Sequence, residues 1–247
     1  MAETLVFLIL AHVLADFVLQ SGRMAQAKAE GHAGWMLAHI GTVGLISALL
    51  LGAQSPLALG VMAGVAAVHL GIDAAKVAIG ARVSGIMAFV ADQAAHLATL
   101  VLVATLWPGL WAQGLWADHA PIWMPAAAAV LAGAILSTRA GGFALALLMR
   151  PWGDVGLEGL PGGGRIIGLL ERGIIFLLIL AGEPGGIGFL IAAKSVLRFG
   201  AVKEEARLSE YVIIGTLASF GWAILVALGT VMLLSAVPPL GIPDLSP

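Results

Sequence analysis

The 247-residue chain is 60% hydrophobic and only 11% charged, with a formal net charge of −2. Soluble domains are about one quarter charged, so water cannot solvate most of this chain, and the charge balance offers nothing to a nucleic-acid partner. With no cysteine it has neither a disulfide nor a thiolate metal site.

The few charges fall between long apolar runs, the pattern of helices that each need about 20 apolar residues to cross about 30 Å of hydrocarbon. In chain order the runs predict helices over Leu5–Gln20, Gly34–Gly52, Leu57–Ala78, Gly85–Trp107, Ile122–Met149, Ile166–Ala181, Gly185–Phe199 and Tyr211–Ala236. The first carries His12 and Asp16 and lacks a basic start or a small-residue cleavage site. It reads as a retained span, not a signal peptide. The seventh is short enough to be re-entrant, and the eighth is long enough to tilt. Breakers separate the runs at Gln54-Ser55-Pro56, Trp107-Pro108-Gly109, Pro161-Gly162-Gly163-Gly164 and Glu183-Pro184.

Lysine and arginine orient the bundle. Arg23 and Lys28 follow helix one, and Lys76 and Arg82 close helix three. Arg150 and Arg165 flank the loop after helix five, and Arg198, Lys203 and Arg207 follow helix seven. The opposite ends hold none, so the positive-inside rule places both termini outside the cytoplasm. The expected fold is an all-α polytopic transmembrane bundle of about eight helices. Gly60 and Gly64, at GxxxG spacing, favour close helix packing. The loop Trp111–Pro121 divides residues 1–110 from 111–247, two four-helix halves of one integrated membrane domain.

Three spans carry the same residue types four apart: His12 and Asp16, His69 and Asp73, Asp92 and His96. That spacing stacks both members on one helix face. Helices one and three run inward and read His then Asp, whereas helix four runs outward and reads Asp then His. His12, His69 and His96 therefore fall at one depth, with Asp16, Asp73 and Asp92 about one turn nearer the cytoplasm and His39 near the aspartate level. Independent accidents would not agree in depth.

Three charged aspartates at mid-membrane cost of order 8 kcal/mol if unpaired. Lys76, three residues after Asp73, can neutralise one, and a divalent metal can neutralise two more. The seven candidate ligands are His12, Asp16, His39, His69, Asp73, Asp92 and His96. They exceed the four of a structural zinc site, which fits two ions, or one ion with carboxylates orienting its histidines. Zinc is the first expectation, with manganese or iron open. Gln20, one turn beyond Asp16, and Gln93, beside Asp92, are second-line hydrogen-bonders to ligands or substrate. The bland alternative is a dry His–Asp network that only ties helices together. His32 and His119 fall in loops and read as solvated bystanders.

The second half adds Glu171, Arg172, Lys194, Arg198, Glu210 and Tyr211, all towards the cytoplasmic side, with Arg139 deeper beside Ser137 and Thr138. Interhelical ion pairing is the plainer account of them. The sharper one is an anion pocket in which Arg172, Lys194 and Arg198 meet a phosphate or carboxylate.

The segments LAHVLADFVLQ, with His12, Asp16 and Gln20, HLGIDAAK, with His69, Asp73 and Lys76, and DQAAHL, with Asp92, Gln93 and His96, together with the lone His39, resemble a family of bacterial membrane proteins, the domain of unknown function 3307. The resemblance covers roughly the first 110 residues, and LLERGIIF, FLIAAKSVLRF and EYVIIGTLASF look similar to its longer members. It implies a multi-pass protein of the bacterial inner membrane and supports the His/Asp constellation as a motif, without implying an activity.

The leading functional expectation is a metal-dependent hydrolase acting on a lipid or lipid-linked phosphate from the cytoplasmic side. Asp16, Asp73, Asp92 and Lys76 are its expected catalytic groups, an aspartate serving as general base. Gln20, Gln93, Arg172, Lys194 and Arg198 are expected to hold the substrate. The alternatives are a divalent-cation or proton-coupled transporter and a non-catalytic scaffold. Polar residues on only one side of the site favour the enzyme over a conduction path.

Overall fold

The computed structural model describes residues 1–79, 85–153, 160–198 and 206–241, all helix and connecting turn with no strand among them. Arg82 and Lys203, used above for orientation, lie outside the described residues. The helices are α1 (Ala2–Leu14), α2 (Gly22–Ala29), α3 (Ala33–Leu51), α4 (Pro56–Ile79), α5 (Gly85–Leu106), α6 (Met124–Ile135), α7 (Gly141–Met149), α8 (Gly163–Leu180), α9 (Gly186–Arg198) and α10 (Ala206–Leu234). π-helical turns extend α1 over Ala15–Leu19 and join α6 to α7 over Leu136–Ala140.

Six helical stretches are long and apolar enough to cross a membrane: Ala2–Leu19, Ala33–Leu51, Pro56–Ile79, Gly85–Leu106, Met124–Trp152 and Arg207–Leu234. The sixth and seventh runs of the sequence form α8 and α9, which are weaker candidates. α8 carries Arg165, Glu171 and Arg172 within its 18 residues. α9 has 13 residues, and at about 1.5 Å each it reaches only about 20 Å.

The chain divides into two compact units, Met1–Ala132 with the segment from Met232, and Gly133–Val231. The division falls inside the fifth apolar run, so the loop Trp111–Pro121 lies within the first unit.

In the first unit α1, α3, α5 and α4 form a ring, each packed on its two neighbours. Their polarity is the reverse of a water-soluble bundle. α3 buries His39, Val43, Ser47 and Leu51, a stripe at four-residue spacing, and exposes Leu37, Leu45 and Leu49. α4 likewise buries His69 and Asp73 while exposing Leu57, Leu59 and Val68. α5 buries Asp92 and His96 while exposing Val90, Leu97 and Leu102. Apolar surface outside and polar groups inside is the arrangement that hydrocarbon solvent selects.

The loop after α5 returns to the open ends of the ring. The Trp111 ring stacks on Phe7 at 3.8 Å, and Trp116 Nε1 donates to Leu49 O at 2.6 Å. Gly52 ends α3 at φ 61°, and its carbonyl accepts from Leu115 N at 2.9 Å. A Cβ there would meet Leu115 N and Trp116, so both the turn and the approach require glycine. Thr4, fully buried, ties this loop to α1: its hydroxyl donates to Pro108 O at 2.8 Å and accepts from Trp111 N at 3.2 Å. Thr4→Val leaves both groups unpaired and is expected to cost about 1–3 kcal/mol, read as a lower melting temperature in detergent.

In the second unit Ile175, Phe220 and Ala223 form a core with Ile179, Ile187, Leu190 and Ile224 packed on it. α8 packs on the π turn at 136–140 and on α9.

Candidate metal centre

Each ring helix delivers its polar residues to one place. His69 lies between its neighbours, with ring centroids 4.0 Å from His96, 5.1 Å from His39 and 5.6 Å from His12. His12 and His96 stack at 4.9 Å. The antiparallel register thus brings the three paired histidines together, and His39 reaches them from α3.

The tightest part of the cluster is a set of four donors. His39 Nε2 and His69 Nε2 are 3.1 Å apart. Asp16 Oδ1 lies 3.3 Å from the first and 3.5 Å from the second. Asp73 Oδ2 lies 3.8 Å and 3.7 Å from the same two atoms. A tetrahedral ion with nitrogen and oxygen ligands at about 2.0–2.2 Å has ligand–ligand edges of about 3.3–3.6 Å. Five of the six edges of this set run from 3.1 to 3.8 Å and bracket that value, and an ion that takes Asp73 Oδ2 as a ligand displaces Lys28 from it.

The π turn positions Asp16. It widens α1 just where the carboxylate must swing towards α3 and α4, while Asp16 Oδ2 stays 3.9 Å from His12 Nδ1. Single π turns inside α-helices are frequent at functional sites for this reason. The wider turn also ends the helix at Leu19, leaving Gln20 extended. Gln20 therefore does not stack below Asp16 but accepts from Lys28 Nζ at 3.3 Å.

Two lysines balance two of the three aspartates. Lys76 Nζ donates to Asp92 Oδ2 at 2.8 Å, so its partner is not Asp73 on its own helix but the carboxylate facing it from antiparallel α5. Asp73 is paired instead with Lys28 Nζ at 2.5 Å. Lys28 is buried and comes from α2, a short helix absent from the eight apolar runs. Its signal was available: Ser21 is an N-cap, accepting from Met24 N, and Arg23–Ala29 are seven good helix formers in a row. One carboxylate charge, that of Asp16, is left without a lysine.

The hydrogen bonds fix two imidazole tautomers. His96 Nδ1 sits 2.9 Å from Asp92 O, a carbonyl that only accepts, so Nδ1 carries the hydrogen and Nε2 is bare. Gln93 Nε2 donates to Asp92 Oδ2 at 3.1 Å, which turns Gln93 Oε1 towards His12 Nε2 at 3.2 Å. His12 Nε2 therefore donates, and His12 Nδ1 is bare. Among the described residues, six buried side-chain atoms make no hydrogen bond: His12 Nδ1, Asp16 Oδ1, His39 Nδ1, Asp73 Oδ2, Asp92 Oδ1 and His96 Nε2. Every one belongs to this cluster, and Asp73 Oδ2 is the atom that Lys28 pairs. Buried polar atoms are rarely left unbonded, and here they gather at one point.

Residues 4–117 match the model of a family described as "Protein of unknown function (DUF3307)". Over these residues the chain is similar to that family. No curated protein and no solved structure matches the chain. The DUF3307 segment holds all seven candidate ligands together with Lys28, Lys76, Gln20 and Gln93.

Three overlapping sets in the segment could hold an ion: His12, Asp16 and His96; Asp16, His39 and His69; and His69, Asp73 and His96. Asp92 belongs to none of them; its carboxylate accepts from Lys76 and Gln93, and its backbone carbonyl accepts from His96 Nδ1. His32 and His119 are exposed, His32 facing Glu30 at 3.4 Å.

On the far side of the histidines from α2, buried side chains are mostly apolar, with Thr4 and Ser47 the buried polar ones of α1 and α3 there. Leu8, Met62, Val65, Leu100 and Val103 are all buried there.

Arg172 and Lys194 lie outside the DUF3307 segment, in the second unit, and both are engaged. Arg172 donates to Ser137 O, Thr138 O and Ser219 Oγ. Lys194 Nζ pairs with Glu171 Oε2 at 2.7 Å. The side chain of Arg198 lies outside the described ones.

Proposed function

We propose that this protein is a metal-dependent hydrolase of the bacterial inner membrane, acting on a lipid or lipid-linked phosphate from the cytoplasmic side. In this reading the chain crosses the bilayer eight times with both termini outside. The observation that carries it is that, among the described residues, the unbonded buried side-chain polar atoms all belong to one His/Asp cluster, with Asp16, His39 and His69 donors within 3.5 Å of one another. Charge supports a single ion. Three aspartates against two lysines leave one negative charge, and a divalent cation with a hydroxide balances it.

A divalent ion held there supplies Lewis acidity and lowers the pKa of a bound water. Asp16, His39, His69 and Asp73 would hold it. His12 Nδ1 and His96 Nε2 are the two bare bases beside that set, and they take the proton of an attacking water more readily than Asp73 or Asp92, which are tied to lysines. Lys76, Asp92 and Gln93 form the chain that keeps His12 in the tautomer with Nδ1 free. Gln20 and Lys28 close the α2 side of the site.

Elemental analysis of the protein purified in detergent, followed by assays against phospholipid and isoprenoid phosphate panels, tests this reading. Turnover of none of these substrates by metal-loaded protein rejects the hydrolase. Lys28 and the cation compete for Asp73, so Lys28→Met is expected to tighten metal binding roughly tenfold. A competition titration against a fluorescent chelator measures it, and unchanged affinity removes Asp73 from the ligand set.

A further inference from the structure

The second unit contains a cavity of about 250 Å³ lined by Arg172 and Lys194, two of the residues expected above to hold a substrate. Gly164 and Gly168 of α8 and Gly215 of α10 open it by withholding side chains, and Leu145, Ile167 and Val212 give it an apolar wall. Its polar wall is Glu171, Arg172, Lys194 and Ser219, of which Glu171, Arg172 and Ser219 are more than nine-tenths buried.

The charges on that wall do not balance. Lys194 is matched by Glu171 at 2.7 Å. Arg172 has three hydrogen-bond partners, all neutral: Ser137 O at 3.0 Å, Thr138 O at 2.9 Å and Ser219 Oγ at 3.1 Å. The one carboxylate among the described residues that acts on it, Glu171, is the one that pairs with Lys194. The two carbonyls are presented by the π turn of 136–140, which fixes the guanidinium at the cavity wall. Three of its five N–H groups are used, leaving one hydrogen on each terminal nitrogen. Among the described residues no carboxylate pairs with Arg172, so the wall keeps one positive charge in an apolar helix cluster. A buried cation without a counter-ion is costly, and a cavity at its side admits one.

We propose that this cavity binds the phosphate of an anionic membrane lipid, with Arg172 and Lys194 facing the headgroup and the Leu145, Ile167 and Val212 wall taking the start of its acyl chain. One net positive charge selects a singly charged phosphodiester, and the apolar wall selects a phosphate that carries a chain over a free one. The site is built from residues of the second unit alone, and the proposal holds whether or not the metal centre hydrolyses anything.

The test is a native mass spectrometry titration of the full-length protein with phosphatidylglycerol, with phosphatidylcholine and inorganic phosphate as separate arms. Wild type is expected to retain phosphatidylglycerol in preference to phosphatidylcholine, and inorganic phosphate is expected not to displace it. Lys194→Met removes the surplus charge and weakens retention roughly tenfold, whereas Glu171→Gln adds one and strengthens it. Gly215→Leu puts a side chain into the cavity, its Cβ meeting only the flexible Met149, and is expected to abolish retention, with a melting curve on the same sample to show that the protein stays folded. Equal retention of the two lipids, displacement by phosphate alone, or charge variants that shift together instead of oppositely overturns the proposal.

Discussion

His39→Ala, His69→Ala and Asp73→Ala are each expected to lower bound metal from about one ion per chain to a small fraction of that, with the helices still inserted. Each removes one corner of the donor set. Asp92→Asn is the contrasting variant. Its oxygen faces Lys76 and Gln93, so it should keep its metal and lose turnover through a misplaced His12. A dry network predicts otherwise: no stoichiometric zinc, manganese or iron in the wild type, and stability losses alone in the variants. Elemental analysis with a melting curve on the same samples separates the two outcomes.

Cysteines placed at Leu8 and Val103 are expected to take no more of an external, membrane-impermeant thiol reagent than the cysteine-free parent. Leu8 is fully buried and Val103 is 8% exposed, in the apolar packing beyond the histidines. An enzyme needs entry only from the α2 side. A transporter must also open through Met62, Val65 and Leu100, which offer an ion no hydrogen bond. Labelling that rises and falls with added metal would show alternating access and make the transporter the better reading.

Much of this was legible in the residues. Apolar runs and breakers locate the helices to within a few positions, because in hydrocarbon nothing else satisfies the backbone. The i, i+4 pairs on straight helices give the histidine cluster, since depth follows from helix direction alone. What escaped has specific causes. The π turn at Ala15–Leu19 changes the register of Gln20, and no local pattern announces it. Lys76 could meet Asp73 along α4 or Asp92 across to α5, and only the packed ring decides for Asp92. Lys28 reaches Asp73 because α2 folds back towards the site, and an eight-residue helix leaves no trace in a search for spans.

The four-donor set draws on three separate helices and its neighbours on a fourth, so the order of synthesis matters. Asp16 and His12 enter the membrane before His39, and His39 before His69 and Asp73; Lys76, which pairs with Asp92, also precedes it in the chain. Until α5 is complete, each new helix carries a polar face that has no permanent partner in lipid. The polar stripes that define the centre therefore delay the release of each helix into lipid, and the bundle should leave the insertion machinery as a group. Truncation after α4 should strand α1 and α4 at the translocon, or pass them to quality control, instead of yielding a smaller stable bundle.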